Sequence, residues 1–135
     1  MKNKHSGLLE KIRSDFPELR FRTGDKFTFR PPRTIIVGPD QAFWDLLLLH
    51  ELSHAILKHN SFRIDIQRLK METEAWKKAR ELAAFYGVEA NEEIIQENLD
   101  TYRDWLHKKS RCPKCGLTRF QTPDGKYHCP RCEYY

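Results

Sequence analysis

Apolar positions recur at helical spacing over most of this chain and alternate at strand spacing in only a few short runs. Leu8, Leu9, Ile12 and Phe16 stop before Pro17, which predicts a short amphipathic helix from Ser6 to about Phe16. Lys26-Phe27-Thr28-Phe29 alternates, Pro31-Pro32 interrupts, and Thr34-Ile35-Ile36-Val37 is β-branched and apolar, so two short strands are expected. Ala42, Phe43, Trp44, Leu46, Leu47, Leu48, Leu49, Leu52, Ala55, Ile56 and Leu57 then make a segment apolar almost all round, the pattern of a helix through the middle of a domain. Gly38-Pro39-Asp40 supplies a stop, a first-turn proline and an N-cap oxygen, and no Gly or Pro follows before about Asn60. A long helix is predicted within Arg63–Tyr86, stopped at Gly87, and another from an Asn91 cap to about Lys108. Ile94, Ile95, Leu99, Tyr102, Trp105 and Leu106 form its apolar stripe and are read as core.

Within the apolar helix stands His50-Glu51-Leu52-Ser53-His54. At about 100° per residue, positions i and i+4 share a helical face, so two imidazoles can grip one Zn²⁺ while Glu51 stands beside it as a general base. Zinc-assisted hydrolysis is the chemistry this predicts, with peptide bonds as the default substrate. The competing reading is a chance pentapeptide on a buried helix. A charged Glu51 on so apolar a helix argues against it, because burial of a carboxylate is costly without a partner.

A catalytic zinc generally has three protein ligands and a water. His59 is nearest in sequence, but on a continuing helix it lies about 180° from His50 and about 140° from His54, and is expected as a solvent-facing or helix-end residue. Glu72 and Glu74 are the better candidates. Leu69, Ala75, Trp76, Ala79, Leu82, Ala83 and Tyr86 define an apolar stripe with Glu72 at its centre, whereas Glu74 falls on the face shared with Lys77, Lys78 and Glu81. Glu72 is therefore the expected third ligand, against the alternative of a glutamate paired with a nearby Arg or Lys.

HELSHAILKH followed by E-T-E-A-W-K-K-A resembles the compact gluzincin-type metallopeptidases, especially the ImmA/IrrE-like group of bacteria and their phages. That group carries a second helix reading E-x-x-A-(D/N)-x-x-(A/F)-A. Glu72, Ala75 and Ala79 match it, while Trp76 stands where an Asp or Asn would support a zinc histidine. The resemblance covers about Thr34 to Tyr86. It implies a small α+β, zincin-like domain with a short sheet, a single catalytic zinc, and an edge strand that pairs with an extended peptide; Thr34–Val37 is expected in that role.

Cys112-Pro-Lys-Cys115 and Cys129-Pro-Arg-Cys132 form two knuckles able to surround one tetrahedral Zn²⁺. Arg119–Gln121 and Lys126–His128 can pair as a hairpin across Pro123-Asp124-Gly125. Two disulfides, or a redox-active C-x-x-C, are the alternatives; the first needs an oxidising compartment and the second explains one pair. Four thiolate ligands leave no open position, so this zinc is expected to be structural. The charge is concentrated here: residues 1–107 carry 17 basic and 17 acidic side chains, while residues 108–135 carry seven basic and two acidic. Phe120, Tyr127 and His128 among those cations suit nucleic acid; docking on protein is the competing role. The layout also resembles SprT-like proteases in part, although no His lies between His59 and His107.

The chain of 135 residues has room for one modest core and a small appendage, here a metallopeptidase domain over 1–107 and a four-cysteine zinc ribbon over 108–135. No apolar run nears the roughly 18 residues of a membrane span, so no membrane partner is expected. The segment MKNKHSGLLEKIRSDF has no apolar signal core, which predicts a cytoplasmic location. The expectation is a hydrolase with two zinc ions per chain acting on protein or peptide. The alternative is a non-catalytic zinc-ribbon adaptor or nucleic-acid-binding regulator with a degenerate HExxH domain.

Overall fold

The computed structural model describes residues 5–133. Residues 1–4 and 134–135, the outer ends of the two expected segments, lie outside the described residues. The architecture is α+β, with four helices and two small sheets among the described residues. In chain order they are α1 (Ser6–Asp15), β1 (Arg20–Thr23), β2 (Thr28–Arg30), β3 (Thr34–Val37), α2 (Trp44–Ile56), α3 (Asp65–Tyr86), α4 (Glu92–Ser110), β4 (Phe120–Gln121) and β5 (Tyr127–His128). Two compact units result. One holds the described residues up to Asn60 with Glu74–Asn91; the other holds Ser61–Thr73 and the residues from Glu92 onward.

In the first unit the sheet runs β1-β3-β2, with β1 parallel and β2 antiparallel to β3. The expectation that Thr34–Val37 is an edge strand is therefore wrong: β3 is central, and its edges are taken. Its composition explains this, because Ile35, Ile36 and Val37 are all buried and a strand covered by neighbours reads as a continuous apolar run. β1 carries no comparable signal, since Arg20 and Arg22 flank a single Phe21. Gly24 follows it so closely against β3 that a Cβ there would meet Ile36 Cγ2 at 2.5 Å.

The apolar segment forms α2, which carries His50, Glu51 and His54. It starts later than Asp40. Asp40 Oδ1 lies 2.6 Å from His5 Nε2 rather than capping the helix, and Phe43 precedes the first turn with φ 62°. The indole N–H of Trp44 donates to the Gly38 carbonyl at 3.1 Å, fixing the entry loop. The helix also ends early. Lys58 adopts φ 56°, and the His59 N–H donates to the His54 carbonyl at 3.0 Å, a Schellman-type stop with lysine in the left-handed position. Leu46, Leu48, Leu49, Leu52, Ala75, Trp76 and Ala79 are at most 1% exposed and form the core with Ile12 and Ile35. Each buried leucine contributes about 1.5–3 kcal/mol relative to exposure.

In the second unit β4 pairs antiparallel with β5, Phe120 opposite His128 and Gln121 opposite Tyr127, and Gly125 takes the positive φ of the connecting turn. The hairpin docks on the start of α3. The Asp65 N–H donates to Gln121 Oε1 at 2.6 Å, the Tyr127 hydroxyl donates to Asp65 Oδ2 at 2.6 Å, and Lys109 Nζ lies 3.0 Å from the same carboxylate. Among the described residues no helix is long and apolar enough to cross a membrane.

Candidate metal centres

One turn of α2 brings His50 and His54 to the same face, as the i, i+4 spacing requires. Their ligand atoms and a carboxylate oxygen of Glu72 all lie within 4.8 Å of one another, and all three residues are buried. Two imidazoles and one carboxylate are a donor set suited to zinc. Glu74 does not join this group: its side chain is 45% exposed, whereas Glu72 is 7% exposed. Glu51 is buried beside the cluster, its Oε1 3.7 Å from His50 Nδ1.

Each member has supports that motif reading did not supply. Trp76 stacks on His50 with centroids 4.0 Å apart and planes 8° apart. Phe29 lies parallel to the His54 ring at 6.4 Å. The Glu72 carboxylate is hydrogen-bonded to the Tyr102 hydroxyl; burial and this carboxylate together push that hydroxyl up to about 12. Arg68, over the rings of Tyr102 and Trp105, pulls in the other direction.

His59 is a helix-end residue, as expected, but it does not face solvent. Its side chain is 9% exposed, and its Nδ1 lies 2.9 Å from His54 Nδ1. The helical-wheel angle holds only for a helix that continues past Ile56; the turn at Lys58 brings the chain back. An open pocket lined by Phe16, Leu19, Pro31, Pro32 and Ile56 also reaches His59.

The four cysteines are all free and gathered into one cluster. Cys112 and Cys132 sulfurs lie 3.8 Å apart, and Cys115 and Cys129 sulfurs 3.5 Å apart. Tetrahedral zinc–sulfur bonds of about 2.3 Å separate their sulfurs by roughly 3.8 Å, so the cluster fits a single metal ion. Backbone N–H groups of Cys115 and Lys114 bring the Cys112 thiol down to about 6, and those of Cys132 and Arg131 lower that of Cys129. The hydrogen bond with the Cys115 sulfur, with burial, pushes the Cys132 thiol up to about 12.

The basic side chains of this segment are partly committed within it. The Arg119 guanidinium covers the Tyr127 ring at 4.9 Å and donates to the Lys109 carbonyl at 2.8 Å. His128 Nδ1 lies 2.6 Å from Glu133, and its ring stacks on Phe120. Tyr127 is thus engaged on its face and its hydroxyl, while Phe120 remains 44% exposed and Lys108, Arg111, Lys114, Lys126 and Arg131 lie at the surface.

Comparison with known proteins found no matching family model, no significantly matching curated protein and no significantly matching solved structure.

Proposed function

We propose that this chain is a zinc-dependent metallopeptidase, akin to the ImmA/IrrE-like gluzincins, carrying a structural zinc ribbon. The observation that carries the reading is the convergence of His50, His54 and Glu72 beside a buried Glu51. A site that only held a metal for stability would not require a buried carboxylate outside the ligand set.

His50, His54 and Glu72 would hold the zinc, which would supply a Lewis acid for the hydrolysis. Glu51 accepts a proton from the water that attacks the peptide carbonyl, and returns it to the leaving nitrogen as the C–N bond breaks. An extended substrate lies along β2, the sheet edge packed against α2, which takes over the role expected of β3 from sequence. The four thiolates hold the second zinc, whose closed coordination makes it structural.

Glu51→Gln tests the assignment, because it removes the base and keeps the volume. Against a diverse peptide library, cleavage should fall by about 10²–10⁴ while zinc content and fold persist. Full activity in Glu51→Gln would exclude Glu51 as the base. A zinc-replete wild-type chain that cleaves nothing would favour the adaptor reading.

A further inference from the structure

His54, His59 and Glu74 form a line of side chains, and the proposed catalytic step assigns no role to His59 or Glu74. His54 Nδ1 lies 2.9 Å from His59 Nδ1, and His59 Nε2 lies 3.4 Å from Glu74 Oε2. Two facing Nδ1 atoms at that distance need one N–H between them, since two would collide and none would leave two lone pairs opposed. The carboxylate sets the direction. An ionised Glu74 only accepts, so neutral His59 carries its hydrogen on Nε2 and presents a bare Nδ1. His54 must then carry its hydrogen on Nδ1, which leaves the lone pair of its Nε2 available to a metal.

We propose that His59 and Glu74 are positioning residues that fix the tautomer and ring orientation of His54. The proposal rests on the metal-site reading of His50, His54 and Glu72, and adds to it the source of directional support for one ligand. Such outer partners hold ligating imidazoles in many metal sites. Here the backbone is bent to provide one. Lys58 takes φ 56°, a conformation that disfavours residues with a side chain, and only this turn returns His59 to His54. Phe29, parallel to the His54 ring, limits its remaining freedom.

The test uses the full chain and two readouts. Zinc affinity at the His50-dependent site, measured by chelator competition, should weaken by about 10- to 100-fold in His59→Ala. His59→Gln should recover most of this loss, because its amide oxygen can accept the same N–H, and Glu74→Gln should cost less than His59→Ala. Zinc at the cysteines should be unaffected. Long-range ¹H–¹⁵N correlation should find the hydrogen of His54 on Nδ1 in the wild type, even in the chelated chain, and on a mixture of nitrogens in His59→Ala. Unchanged affinity in a folded His59→Ala, or the Nε2–H tautomer of His54 in the chelated wild type, overturns the relay and leaves the metal site standing. A wild type with no His50-dependent zinc overturns the metal-site reading, and the tautomer in the chelated chain still decides whether the relay exists.

Discussion

His50 lies flat against Trp76, so a fully buried indole fixes the imidazole plane. The arrangement carries a cost, since Trp76 Nε1 is buried without a hydrogen-bond partner among the described residues, worth about 1–3 kcal/mol. Trp76→Ala should lower unfolding free energy by roughly 3–5 kcal/mol in urea titration, through the cavity it leaves. Trp76→Phe should cost markedly less, because it removes the unpaired N–H and keeps a ring against His50. Equal losses in the two variants would mean that neither the retained volume nor the ring against His50 accounts for the stability. Glu72 was legible in the sequence because burial on a long helix is periodic, and a carboxylate at the centre of an apolar stripe stands out. His59 was not, because its place depends on one left-handed residue that no periodicity announces. Trp76 was legible as a departure from the resembling pattern, but its stacking on His50 arises from the packing of α3 on α2, which no single helix announces.

At the scale of elements, the hairpin of β4 and β5 is tied to α3 through one residue, Asp65. Burial and the Asp65 hydrogen bond push the Tyr127 hydroxyl up to about 12. Burial opposes ionisation of Asp65, yet hydrogen bonds from Tyr127 and Lys109 hold its carboxyl below the usual range. A phenol whose folded pKa is raised stabilises the fold fully below its unfolded value of about 10, and that contribution is lost as pH rises through about 12. Phenolate absorbance, with Tyr127→Phe as the difference reference, should show this residue ionising near pH 12 in the wild type and closer to 10 in Asp65→Asn. A Tyr127 that titrates near its ordinary value in the wild type would mean the hairpin is not held at Asp65. The hairpin itself was readable from Pro123-Asp124-Gly125 and the knuckle spacing, since turn chemistry is local. Its attachment to Asp65 was not, as 62 residues separate the partners of that hydrogen bond. The start of α2 failed for a related reason: Asp40 has the chemistry of a cap, but His5 is its partner.

For the whole molecule, two candidate metal sites with different numbers of donors give a prediction about occupancy. The cysteine cluster offers four sulfurs, whereas the His50, His54 and Glu72 group offers three donors. Ligand number and access govern how readily an ion leaves, so a zinc-replete chain should carry two zinc ions and lose one first to mild chelation. His50→Ala should remove the labile ion alone. Cys115→Ser should release the tight one and loosen the hairpin, read as loss of Tyr127 protection in the alkaline titration. The sequence could specify both donor sets because each spacing is short, four residues on a helix and two within a knuckle. The sheet order was less accessible, because β1 and β3 pair through a crossover and Arg20 and Arg22 on either side of a single Phe21 conceal the first strand. If the wild type holds one zinc under replete conditions, and cysteine substitution rather than His50→Ala removes it, the hydrolytic reading fails while the ribbon remains. If both ions leave at one chelator concentration, the contrast between a three-donor and a four-donor site is wrong.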